Sequence, residues 1–111
     1  MKITKEMTDA IAKLHEAMKA DYNRFMAGDD PIRNDMRNEY ANSLGYKAGS
    51  KYIAIRTGGG AHSFIVNTDA DKKFSYGDIL KAAGYNAPAR NFARGNVLDG
   101  SLECVRWTGA C

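Results

Sequence analysis

Apolar residues recur every three or four positions in the first half of this chain and every two in the second, with the switch near residue 50. Neither a helix alone nor a strand alone satisfies both periods, so the chain has to combine the two. Met7, Ile11, Leu14, Met18, Tyr22 and Phe25 are spaced by four, three, four, four and three, which lines one face of a helix. Gly28 closes that helix in the left-handed conformation glycine tolerates. Asp30 and Pro31 then supply a capping carboxylate and a first-turn proline for a second helix. Ile32, Met36, Tyr40 and Leu44 follow at steps of four, and Gly45 stops the stripe. Two amphipathic helices joined so closely should pack as an antiparallel hairpin.

From Lys51 the period is two. "KYIAIRT" places Ile53 and Ile55 on one face, with Tyr52, Ala54 and Arg56 on the other. "AHSFIVN" places Phe64 and Val66 opposite Ile65, and the glycines 58–60 join the two strands as a hairpin. "SYGDILKAAG" reads as a short helix, capped by Ser75 with Asp78 at the reciprocal position and closed by Gly84; Tyr76, Ile79 and Leu80 would pack it onto the sheet. "SLECVRWT" alternates again, with Val105 and Trp107 on one face. The expected fold is α+β over residues 1–111 as a single domain: an N-terminal antiparallel helical hairpin on a small antiparallel sheet, in the order α-α-β-β-α-β. Helices that the sheet cannot fully cover would leave an apolar face, rich in methionine, that could join two copies as a homodimer.

An apolar fraction of 44% with 26% charged residues is that of an ordinary globular protein. No apolar run approaches the roughly 20 residues a membrane crossing needs, and "MKITKEMTDAIAKLHEAM" lacks the apolar stretch of a signal peptide. A cytoplasmic location without membrane contact is therefore expected, and with it two free thiols at Cys104 and Cys111, the former packed as a small apolar side chain. Two cysteines and two histidines without metal spacing give no metal site, and no cofactor motif is present.

The net charge of +3 is unevenly placed. Residues 1–50 hold eight basic and eight acidic side chains, whereas residues 51–111 hold eight basic and five acidic. Within 72–96 there are five basic residues, Lys72, Lys73, Lys81, Arg90 and Arg94, against Asp78 alone. That is a modest basic patch, thinner than the dense face of a dedicated nucleic-acid binder.

Catalytic motifs are weak. "TGGGAHS" could cradle a phosphate, but such loops run into a helix, and this one runs into a strand without a following Lys-Ser/Thr pair. His62 and Ser63 are strand neighbours, which point to opposite faces and so should not meet as a nucleophile pair. His15 lies beside the helical core stripe. "GDD" at 28–30 is a helix stop and cap, and "NTDADKK" lacks the later glycine and glutamate of a calcium loop.

The segment 83–100, "AGYNAPARNFARGNVLDG", is the exception, because it concentrates Arg90, Arg94, Asn86, Asn91, Asn96 and Phe92 with few apolar residues. "DILKAAGYNAPARNFARGN" has the outline of a helix-turn-helix whose second helix would offer Arg90, Asn91 and Arg94 to a major groove. Arg90 at the usual buried position and an early Gly95 favour a loop instead. Phe92 and Tyr85 could stack on single-stranded bases while the cations follow phosphates.

The same segment resembles one found in small accessory proteins of tailed bacteriophages with no assigned activity. The resemblance rests on Gly77, Asp78, Ile79, Leu80 and Lys81, then Pro88 and Ala89, then Ala93, Arg94, Gly95 and Asn96, about 24 of 111 residues. A tryptophan common in those proteins near Tyr85 is missing here. The resemblance implies a phage accessory protein and carries over no catalytic residue. The reading that follows is a binding protein rather than an enzyme, an inhibitor of a host defence or nucleic-acid-processing complex, anti-restriction or anti-CRISPR-like. Its contact would be Arg90, Asn91, Phe92, Arg94 and Asn96, supported by Lys72, Lys73 and Lys81, since Arg and aromatic residues dominate interface energetics. Direct DNA or RNA binding through residues 72–96 is the alternative, and a small enzyme or nucleotide binder at 57–63 the second.

Overall fold

A computed structural model describes residues 4–57 and 60–110. Helix α1 runs Lys5–Phe25 and α2 runs Pro31–Ser43; strands β1 (Leu44–Ala48), β2 (Tyr52–Thr57), β3 (Gly60–Val66), β4 (Ile79–Gly84) and β5 (Ala87–Pro88) follow, then a small pair, β6 (Val105–Arg106) and β7 (Gly109–Ala110). The first five strands form one antiparallel sheet in the order β1-β2-β3-β4-β5, each beside its chain neighbour. The fold is α+β, with two helices and an antiparallel sheet. Of the glycine turn between β2 and β3, Gly58 and Gly59 lie outside the described residues.

Helix α1 forms where the spacing predicts it. Thr4 caps it by accepting a hydrogen bond from the Met7 amide at 3.1 Å, and its stripe of Met7, Ile11, Leu14, Met18 and Tyr22 is buried. Phe25, the last member, is exposed, because the helix ends there and Met26 rather than Gly28 caps it. The stripe covers Ile53, Ile55, Ile65 and Ile79, the residues that alternate onto one face of β2, β3 and β4. Val97, Val105 and Ala110 complete that core, so the β6–β7 pair lies on the same side as α1. Each large side chain buried this fully contributes roughly 1.5–3 kcal/mol, which makes this the structural centre of the molecule.

Helix α2 is capped by Asp30 and opened by Pro31 as predicted, yet none of its residues is fully buried and only Tyr40 among its large side chains packs against the core. Ile32 is 72% exposed and Met36 partly so, while Tyr40 stacks on Tyr22 with ring centroids 4.2 Å apart. Leu44, read from the sequence as the end of the helical stripe, begins strand β1 instead.

The expected helix over 75–84 is absent. Its capping hydrogen bond does form, from the Ser75 amide to Asp78 Oδ2 at 2.8 Å, but the chain turns there and continues as β4. Gly77 decides this. Its φ of +90° is closed to ordinary side chains, and a Cβ there would stand 2.8 Å from Leu98. Ile79 then joins the α1 side and Leu80 the other side. The order after β3 is therefore strand upon strand, not helix and strand.

The second face of the sheet carries Ala54, Phe64, Val66 and Leu80, as the alternation predicts, joined by Phe74. No helix covers it. The segments 68–74 and 89–94 fold over it, and Ala93 packs against it. Residues 86–95 form β5 and irregular chain, so the second helix of a helix-turn-helix does not exist. Pro88 sits on the edge strand, where its missing N–H costs the sheet no bond.

Candidate binding surface on the cationic face

The structure sorts the eight expected contact residues by what they already hold. Arg90 is a brace. Its guanidinium forks onto Asp71, Nη1 to Oδ2 at 3.0 Å and Nη2 to Oδ1 at 3.1 Å, donates to the Tyr52 hydroxyl, and lies 4.9 Å from the Phe74 ring centroid. The Asp71 side chain is only 2% exposed and also accepts from the Lys73 and Phe74 amides. Arg90 first, and those amides after it, hold this carboxyl well below the usual carboxylate range. Asn96 is likewise internal. Its amide donates to the Tyr76 carbonyl and Asp78 Oδ1, both at 3.0 Å, and accepts from the Leu98 amide. Gly95 beside it has φ +146°, with the Ser101 carbonyl where a Cβ would be.

Asn91, Phe92 and Arg94 remain at the surface rim. Phe92 is 58% exposed, and the Arg94 guanidinium stacks 3.9 Å from its ring centroid while donating to Asn91 Oδ1 and the Phe92 carbonyl. Lys72 and Lys73 are exposed at the end of the 68–73 loop. Lys81 follows Leu80 in β4, so alternation directs it to the opposite face from Lys72 and Lys73. The predicted set is therefore not one patch.

The structure adds cations the sequence reading left out. Lys47 on β1, Lys51 in the β1–β2 turn and Arg56 on β2 border a shallow cavity of about 280 Å³, with Tyr52 and Asn86. Arg56 donates to the Tyr85 carbonyl at 2.6 Å and lies 3.9 Å from the exposed Tyr85 ring. Lys51 also borders a second cavity of about 430 Å³, shared with Lys72 and Arg90. The two recesses thus adjoin, and cations from β1, β2, the 68–72 loop and the 89–94 segment line them. Tyr52 and Arg56 on one strand face were the available signal; Lys47 needed strand β1, which the helical reading of Leu44 concealed.

His62 and Ser63 correct a prediction. Ile55 pairs with Ser63 and Arg56 with Ala61, so His62 is the extra residue of a β-bulge. Bulging breaks the strict alternation, and His62 Nδ1 meets Ser63 Oγ at 2.8 Å. Nε2 faces the Arg106 carbonyl at 2.7 Å, which can only accept, so Nε2 carries the proton and Ser63 donates to Nδ1. Both side chains are buried, Ser63 completely, so no substrate reaches the hydroxyl. Burial keeps the His62 pKa below its ordinary value, with the Arg106 carbonyl opposing and His15 assisting. The pair anchors β3 to β6.

On the α1 side, Trp107 donates its backbone N–H to Asp21 Oδ2 at 2.9 Å and packs edge-on against Tyr22 at 4.9 Å. The Tyr40 hydroxyl donates to the Trp107 carbonyl, and its pKa is pushed up to about 12 by burial and by Asp21. Phe25, with its ring centroid 5.1 Å from that of Trp107, and Met36, which lines the hollow beside Tyr40 and Trp107, border this corner as exposed apolar groups. Cys104 is disulfide-bonded rather than a free thiol, and the one other cysteine, Cys111, lies outside the described residues. Among the described residues, no three His, Cys, Asp or Glu side chains are grouped to hold a metal ion, and no helix is long and apolar enough to cross a membrane. No protein-family model, curated protein or solved structure matches this chain.

Proposed function

We propose that this chain acts by binding, as a phage-type accessory protein that blocks a host defence or nucleic-acid-processing complex, anti-restriction or anti-CRISPR-like, in the host cytoplasm. The contact is the face of the sheet opposite α1. Lys47, Lys51, Arg56, Lys72 and Lys73 supply its charge, and Asn91, Phe92 and Arg94 its rim. One observation carries the reading: Asp71, the carboxylate that lines this face, is turned inward and held by Arg90 and two backbone amides, so its charge is spent on the loop and not on the surrounding lysines. Such a surface suits a groove that otherwise takes nucleic acid. In a reducing cytoplasm Cys104 would be a thiol; it adjoins β6 on the α1 side, so the contact face does not depend on the bond.

Direct DNA or RNA binding by the same face is the second reading. Exposed Phe92 and Tyr85, each beside a guanidinium, favour it, because bases stack on aromatic rings while cations track phosphates. Titration of labelled single- and double-stranded DNA and RNA at two salt concentrations separates the two. Phosphate contacts make log K fall with log salt by about one unit per contact, and Lys47→Glu with Arg56→Glu should then abolish binding. A salt-insensitive or absent signal leaves inhibition of the complex as the reading, tested by adding the protein to restriction and RNA-guided cleavage reactions. Inhibition unchanged by Lys47→Glu with Arg56→Glu would remove the face from the proposal. The apolar corner at Phe25 and Met36 is where a homodimer would form, read directly by sedimentation velocity.

A further inference from the structure

The recess between the β1–β2 turn and the 68–72 loop is the most firmly built part of the cationic face. Ser50 and Lys51 form one wall, Thr68 and Lys72 the other, and Arg90 completes a cavity of about 430 Å³. The walls are tied together by Asn67, which is fully buried. Its side chain donates to the Gly49 carbonyl at 2.7 Å and its backbone amide to the Lys51 carbonyl at 2.8 Å. The distance between Lys51 and the loop is thus held by the core and not by the flexible lysines.

Inside the recess the donors are prepared. Arg90 is locked in one orientation by Asp71, Tyr52 and Phe74, and only three of its five N–H groups are engaged there. Thr68 Oγ1 accepts from the Ala70 amide at 3.1 Å, which leaves its hydroxyl proton for another acceptor. The charge count is selective. Three cations face one carboxylate, so the recess carries a surplus of two positive charges, matched by a dianion rather than by the single charge of a phosphodiester. Guanidinium, ammonium and hydroxyl donors together suit tetrahedral phosphate oxygens. The volume exceeds what phosphate alone occupies, so a sugar can accompany it.

The geometry points to a phosphomonoester site formed by Ser50, Lys51, Thr68, Lys72 and Arg90, taking free phosphate, a mononucleotide or the phosphorylated end of a nucleic-acid strand. This deepens the nucleic-acid arm of the reading above: the strand's end sits in this recess while its body follows Lys47 and Arg56.

The test titrates the 15N-labelled full chain with inorganic phosphate, adenosine 5′-monophosphate, adenosine, and one DNA oligonucleotide carrying either a 5′-phosphate or a 5′-hydroxyl. The amides of Ser50, Lys51, Thr68 and Lys72 should shift saturably with every phosphomonoester and not with adenosine. The 5′-phosphorylated strand should bind about tenfold more tightly than its hydroxyl twin, the worth of one or two charge-assisted contacts. Lys51→Ala with Lys72→Ala, both exposed and so harmless to the fold, should erase that preference. Absence of saturable shifts with phosphate, or an undiminished preference in the double variant, overturns the site. If both strands bind equally and Lys47→Glu with Arg56→Glu abolishes both, the cationic-face reading stands and this site falls. If phosphate and the mononucleotide saturate the recess but neither strand binds, the site stands and the nucleic-acid reading falls.

Discussion

One sheet here is covered in two different ways. On one side lies α1, which satisfies its own backbone hydrogen bonds and so needs only apolar side chains to seal Ile53, Ile55, Ile65 and Ile79. On the other side two irregular segments cover Ala54, Phe64, Val66 and Leu80, and irregular chain arrives with unpaired N–H groups. Asp71 takes two of those amides and Arg90 ties Asp71 to Tyr52. The helical cover therefore needs no charged group to hold it, whereas the loop cover is held by one. The contact proposed above lies on the irregular cover, where loop side chains such as Lys72 and Lys73 stay exposed beside the inward Asp71.

The strongest challenge to that contrast is Leu14→Ala. Leu14 is fully buried beneath α1, and its truncation should cost about 2–5 kcal/mol in urea unfolding. Binding by the remaining folded molecules should be unchanged. A changed affinity would mean the two faces are not independent. Gly95→Ala should follow at about 1–3 kcal/mol, because it forces a side chain into positive φ against the Ser101 carbonyl. Unlike Leu14→Ala, it should also loosen the 89–94 cover, seen as faster amide exchange at Arg94, whose N–H bonds the Ile79 carbonyl.

Acid should dismantle the faces in order. His62 on the α1 side has its pKa held below the ordinary 6.5, chiefly by burial, so the unfolded chain takes up its proton first. Its contribution is complete above that value and is lost as pH falls below it; His15, also lowered by burial, shares the window. Asp71 on the other side is held below its ordinary 3.8, chiefly by Arg90, so its contribution persists to lower pH and is lost only as pH falls past that value. His62→Gln should flatten part of the upper window alone. Asp21 is also held below its ordinary 3.8, chiefly by the Trp107 N–H, so Asp71→Asn is needed to isolate the loop's share. Denaturant midpoints followed by Trp107 fluorescence across pH would read both. A loss near the upper window that survives undiminished in the double variant His15→Gln with His62→Gln would contradict the order.

The α1 side was legible in the sequence because one residue spacing specifies it; the stripe from Met7 to Tyr22 and the alternation of β2 and β3 were readable without tertiary information. The loop side was not. Ile79 and Leu80 are adjacent and both buried, since the sheet is covered on both faces, and an apolar doublet fits a helix as well as such a strand. Leu44 fits the stripe of α2 at a step of four, which hid β1 and with it Lys47. The basic segment was found by composition, but composition cannot tell a guanidinium that grips from one that braces. Only the fork onto Asp71, 19 positions nearer the N-terminus and on a separate loop, shows that Arg90 braces. The bulge at His62 left no mark in the spacing.

Two mild substitutions separate those roles within the loop cover. Arg90→Lys keeps the charge but loses the planar fork that serves Asp71 and Tyr52 together. It should lower the melting temperature measurably, and weaken binding by its effect on the recess. Phe92→Ser removes an exposed ring stacked on Arg94, so stability should stay within about 0.5 kcal/mol. If the rim meets the partner, binding should nonetheless fall severalfold, since a stacked aromatic is worth about 1–3 kcal/mol per base or anchor. Unchanged binding in Phe92→Ser together with a loss in Lys47→Glu would move the contact off the 91–94 rim and onto the strands. The grip would then belong to β1 and β2, and the segment that stands out most in the sequence would be no more than the lid holding the sheet's second face shut.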